Sequence, residues 1–282
     1  MRIWARYTAV EIARKRLVQM AALGALVYGF LLWWFLGQVS YQSGGFRFEA
    51  TALAQASAIG MGLFIDYGLV ALFAAFATAG ALSSDRELLA LMVRPLSRRT
   101  MVWGRFVGYG GATVLYATLV YWVAILATSL RFGLPANVPQ LLASWGFFTG
   151  IGLVIASLTL LGSIWLSPMA NGIAVLGLYF LAFLAGSIDQ LARIATTVFA
   201  SASPGALLVA GGVANLVCPT DAVYRWALFE AMGSIRSTVP LTVLGPLGAG
   251  SVVSPYIAVY AVFYIAGVVF LAEAGWRRRD LH

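Results

Sequence analysis

The chain alternates between uncharged apolar runs of about one bilayer's thickness and short segments that hold most of its charge. The runs fall near Leu17 to Gly37, Ile59 to Leu82, Met101 to Leu126, Leu141 to Leu166, Asn171 to Ile188 and Val253 to Ala274. A helix needs ~20 mostly apolar residues to cross the hydrocarbon of a bilayer, so each run predicts one transmembrane helix. The pattern predicts an all-α, polytopic membrane protein with six transmembrane helices, and residues 1–282 form one domain. No soluble domain, internal repeat or low-complexity tract interrupts it. Between the fifth and sixth runs, Ala195 to Val217 is weakly apolar, rich in Gly and Ala, and broken by Ser201, Ser203, Pro204 and Gly205. It reads as an outer-face or re-entrant helix, because a seventh span would carry Arg277, Arg278 and Arg279 to the outside.

Composition narrows the class. Of 282 residues, 61% are apolar and 10% charged, against roughly 45–50% and about 25% in soluble chains, which excludes a water-soluble enzyme. The net charge of +8 is almost wholly arginine, since Lys15 is the only lysine. With both ends in the cytoplasm, inside segments hold thirteen basic residues: Arg2, Arg6, Arg14, Lys15, Arg16, Arg86, Arg94, Arg98, Arg99, Arg105, Arg277, Arg278 and Arg279. Five remain outside: Arg47, Arg131, Arg193, Arg225 and Arg236. Cytoplasmic flanks carry such an excess, so the expected location is the cell (cytoplasmic) membrane, multi-pass, with cytoplasmic N- and C-termini. The charge is not a nucleic-acid footprint. Trp33, Trp34, Trp103, Trp145, Trp165 and Trp276 fall at span ends, where interfacial anchors belong. Cys218, alone of its kind, forms no internal disulfide and reads as a packed small residue. The N-terminus does not read as a cleaved signal, because its apolar run is of full spanning length.

Two polar segments predict structure on the inner face. Ile3, Tyr7 and Val10 share one side of a helix, with Glu11 four residues before Lys15, which predicts an N-terminal interfacial helix on membrane lipid. Between the second and third spans, Ser83 and Ser84 precede Asp85, Arg86 and Glu87, then the apolar residues Leu88, Leu91 and Met92, then Pro95. A serine cap with acids in the first turn starts a helix, and proline stops it. The result is a helix of two to three turns whose apolar stripe needs a cover.

The order of acidic helix start, apolar helix, then Arg94-Pro95-Leu96-Ser97-Arg98 and Gly104-Arg105-Phe106-Val107-Gly108 resembles the first cytoplasmic loop of ABC type-2 (export-type) permeases. The six spans, the basic interfacial start and the ending Trp276 to Leu281 resemble the same family. The outer segment Cys218 to Arg225 is most similar to the permeases of nitrous-oxide-reductase maturation transporters, with Cys218 where Asn is usual. The resemblance implies a transmembrane permease subunit of an ATP-binding-cassette exporter, working as a homodimer or paired permease on a separate cytoplasmic ATPase subunit. It implies a coupling helix between spans 2 and 3. There Asp85, Arg86 and Glu87 make polar contacts with the ATPase, Leu88 and Leu91 fill its apolar groove ahead of Pro95, and Arg98 and Arg99 meet its acidic edge or lipid phosphates.

Candidate chemistry is sparse. No Gly-rich loop ends in Lys-Ser or Lys-Thr, so the chain lacks its own ATPase site, and ATP and magnesium are expected on the partner. No cofactor or metal is expected on this chain, whose only histidine is the terminal His282; it is not expected to be an enzyme. Asp66 stands out as an acid inside a predicted span, where charge is costly, and is the candidate for the substrate pathway. Asp189 reads as an interface residue. Alternative readings are an ATP-driven nontransporting assembly or force-transmitting subunit, and a secondary transporter or channel in which Asp66 couples to an ion.

Overall fold

The computed structural model describes residues 16–42, 48–82, 98–198, 205–239, 248 and 256–278. Eight helices occur among them: α1 (Arg16–Gln42), α2 (Phe48–Thr78), α3 (Arg98–Phe132), α4 (Val138–Gly162), α5 (Pro168–Val198), α6 (Gly205–Val217), α7 (Thr220–Ala231) and α8 (Tyr256–Arg278). Six of these, α1 to α5 and α8, are long and apolar enough to span a membrane. The chain is therefore a multi-pass helical membrane protein. The predicted interfacial helix lies outside the described residues. So does the predicted coupling helix, with Asp85, Arg86, Glu87, Leu88, Leu91 and Pro95.

Local chemistry sets the visible turns. Gly133 ends α3 with φ of 85°, and its N–H donates to the Ser129 carbonyl at 2.9 Å. That left-handed closure is cheap for glycine and strained for other residues. Five residues on, α4 begins with Pro139 in its first turn, and the Gln140 side chain accepts from the Asn137 N–H at 3.2 Å. At the far end of α4 the chain turns through Ser163 to Trp165, and Pro168 opens α5.

The helices stack around α2 and α4. Of the candidate spans, 61% of the α2 window is buried against 17% of the α1 window, so α1 is peripheral and leans on α3. Four hydroxyls of α3 are satisfied locally: Thr113, Thr118, Thr128 and Ser129 each donate to the carbonyl four residues earlier. In hydrocarbon such a hydroxyl has no water to turn to, so back-bonding to the helix is its cheapest partner.

Both described ends of the chain meet at one end of the bundle, termed here the lower end. Leu82, Met101, Ile164, Val269 and Trp276 form a shared core there, with Val18 packed against it. Asn171, at the start of α5, donates to the carbonyls of Ala79 at 3.2 Å and Thr159 at 2.8 Å, which ties the α2 turn to the last turn of α4. At the upper end Gln55 donates to the Gly133 carbonyl at 2.8 Å, and Ser234 to that of Pro135 at 3.2 Å.

Several helix ends, and one expected anchor residue, differ from the sequence expectation. The second span starts at Phe48, not Ile59, because Ala52, Ala54, Ala56 and Ala58 favour helix without reading as an apolar run. Trp276, expected at the lipid interface, is only 1% exposed and belongs to the lower core.

Candidate functional site

The break between the fifth and sixth spans is a helical hairpin folded back into the bundle. Helix α6 runs down α5, with Gly211 against Asp189 and the Ala185 carbonyl. Its last carbonyls, Leu216 and Val217, accept from the hydroxyls of Tyr260 and Tyr264 on α8, both at 2.5 Å. Orphan carbonyls at a helix end need such partners when water is excluded. Helix α7 then climbs along α4: Val223 lies by Gly150, Ser144 donates to the Ala227 carbonyl at 2.7 Å, and Gly233 closes on Ala136 at the upper end. Gly150 is central in α4, so the hairpin tip at Cys218 and Pro219 reaches the middle depth of the spans. The re-entrant alternative read from the sequence describes this geometry.

At that depth the tip meets a polar and aromatic core. The Tyr67 ring stacks on Tyr224 at 4.7 Å with the planes 7° apart, and packs edge-on against Tyr179 at 4.7 Å. The hydroxyls of Tyr67 and Tyr224 are buried without a hydrogen-bond partner among the described residues. Asp66, the neighbour of Tyr67, is 0% exposed, and neither carboxyl oxygen has a partner of normal geometry. Facing it is the Tyr28 hydroxyl, which donates to the Gly62 carbonyl at 3.0 Å. A carboxyl placed so deep, with no cation beside it among the described residues, is the kind of group that marks a pathway or a binding step.

Helix α7 of the hairpin carries a buried ion pair. Arg225 donates to Asp221 through Nε at 2.7 Å and Nη2 at 3.1 Å, and through Nη1 to the Gly248 carbonyl at 2.7 Å. Gly186 on α5 makes room for the Asp221 carboxyl, since a Cβ at that position would collide with Asp221 Oδ2. Cys218 is 1% exposed, its Sγ 3.4 Å from Thr220 Oγ1, so it packs as the sequence reading expects. Asp189 contacts α6 and serves a helix interface.

A second assembly occupies the lower end. Glu273 of α8, 5% exposed, accepts from Trp103 Nε1 at 3.0 Å and from Arg277, and lies 3.6 Å from Arg99 Nε. It ties the last span to the first turn of α3. Arg99 thus has an acidic neighbour within its own chain, while more than half of its side chain faces outward. Arg98 belongs to the first turn of α3.

Sequence reasoning missed three parts of this. Glu273 lies inside the sixth predicted span, so Asp66 is not alone as an intramembrane acid. Arg105, counted as a topogenic flank, is 1% exposed, and its Nη2 has no partner among the described residues. The tyrosines of the tip carry no spacing that singles them out. Among the described residues no three His, Cys, Asp or Glu side chains converge, so none is put forward as a metal-holding group. No protein-family model matches the chain, and no curated protein matches it.

Proposed function

We propose that this chain is the transmembrane permease subunit of an ATP-binding-cassette exporter in the cell membrane, working as a homodimer on a separate cytoplasmic ATPase. The lower end is then cytoplasmic, as its arginines favour. ATP and magnesium act on the partner. Closure of the ATPase pair pushes the segment around Asp85 to Pro95, and α2 and α3 carry that movement toward mid-depth, where Asp66 and the hairpin tip meet. The observation that carries the reading is the Glu273 junction: the first turn of α3, directly after that segment, is bonded to the end of the last span. A push there moves two spans together. Coupling of this kind needs a two-state element that both sites bias, and the buried, underbonded surroundings of Asp66 supply a candidate. The cargo is unassigned.

The test is co-purification with a co-expressed ATP-binding-cassette ATPase from the same genome. Glu87→Lys with Arg98→Glu is expected to abolish both complex formation and stimulation of ATP hydrolysis. Unchanged stoichiometry and stimulation would contradict the coupling assignment.

A second reading has its own observation. A broken helix pair ending at mid-depth beside a buried acid is a feature of secondary transporters, and Asp66 with the α6–α7 hairpin has that form. In that case an ion gradient drives transport and the acidic segment binds no ATPase.

A further inference from the structure

At the lower end, between α4 and α8, lies a cleft of about 510 Å³ lined by Leu161, Ile164, Trp165, Leu271, Gly275 and Arg278, among others. Its volume is within the usual range for ligand clefts, ~300–1,000 Å³. Every lining side chain but that of Arg278 is apolar or absent. The walls stay open because residue 275 is glycine: a Cβ there would sit 3.2 Å from both Ile164 Cδ1 and Trp165 Cζ2. The cleft faces outward, with Trp165 68% and Leu271 61% exposed. Water is a poor occupant, since a buried water needs two to four polar partners.

Charge decides among the apolar occupants. The neighbouring Arg277 is engaged by Glu273, whereas Arg278, one residue on and exposed, has no partner among the described residues and stands at the cleft's rim. No acid among the described residues lines the cleft. The rim lies at the end of both spans, where an indole and a guanidinium sit at headgroup level. A guanidinium offers a planar fork of donors that fits phosphate oxygens. We propose that this cleft binds one anionic phospholipid, its acyl chain along Leu161, Ile164 and Leu271 and its phosphate on Arg278. The proposal needs only that the spans cross a bilayer, and stands apart from the transport reading.

Native mass spectrometry of the full chain in detergent, titrated with phosphatidylglycerol or phosphatidylcholine of the same acyl chains, tests it. One phosphatidylglycerol per chain is expected to be retained in preference to phosphatidylcholine. Arg278→Gln is expected to weaken it about fivefold, the worth of one arginine beside an anionic surface. Ala274→Trp, which fills the cleft from another residue of its wall, is expected to remove it, and Arg278→Lys to keep most of it. Equal retention of both lipids by the wild-type chain would overturn the proposal without any variant. So would unchanged binding in Arg278→Gln, or displacement by inorganic phosphate at matched concentration, which would mark a phosphate site without a lipid. Loss of dimer by Ala274→Trp with an unchanged lipid count would give the cleft to a second copy of the chain, and equally overturn it.

Discussion

Glu273 and Asp66 are both carboxyls inside spans, yet their surroundings assign them different work. Glu273 has an indole and two arginines around it, so it is a structural junction. The Arg99 and Arg277 limbs are both more than half in solvent and contribute under ~1 kcal/mol each; the bond from the Trp103 indole carries more. Glu273→Gln keeps an acceptor for the indole and removes the charge. We predict a loss of about 1.5–3 kcal/mol, the range for hydrogen bonds to charged groups, read as a lower thermal midpoint in detergent. An unchanged midpoint would mean the junction holds nothing together. Asp66, without such partners, is expected to respond the other way. Asp66→Asn should leave assembly and thermal stability near wild type while altering transport in reconstituted vesicles, and wild-type transport would remove it from the pathway. The driving force in the same vesicles separates the two functional readings, because ATP-dependent uptake favours the exporter and gradient-dependent uptake the secondary transporter.

The elements show which features the sequence makes legible. Six apolar runs translate into six candidate spans because a run of that length has few other stable solutions. Their ends are less legible: α3 and α5 run on to Phe132 and Val198 through residues that continue a helix without being apolar. The hairpin was readable only as an alternative, since its depth depends on partners far along the chain. Tyr260 lies 44 residues from the carbonyl it caps, and Ser144 is 83 residues from Ala227. The Glu273 junction was hidden for the same reason, with Trp103 170 residues away. A charge inside an apolar run was its only local signal. The hairpin's own pair supplies a test at this scale. Arg225→Met strands a buried carboxylate and should cost about 3–5 kcal/mol, whereas the double variant Asp221→Leu with Arg225→Met should recover much of that loss. A double variant no more stable than Arg225→Met would show that the Gly248 contact, not the ion pair, holds the tip.

At the scale of the whole molecule, one packed lower end joins the starts or finishes of all six spans, while the upper end admits a hairpin to mid-depth. Helix α3 is 35 residues long, about 50 Å at 1.5 Å per residue, and so exceeds the ~30 Å hydrocarbon core. It either tilts or projects beyond the hydrocarbon, and in both cases it can take a push near Arg99 and deliver it beside the core. On the proposed permease reading that lever transmits the ATPase stroke, and cysteine chemistry reaches it directly because the native Cys218 is buried. The decisive measurement is cross-linking from Ala90→Cys in the assembled complex. On that reading, labelling from the cytoplasmic side alone is expected, with an adduct to the proposed ATPase whose yield changes when nucleotide is hydrolysed. Labelling of that position from the outer side, or an intact complex that gives no adduct, would contradict it.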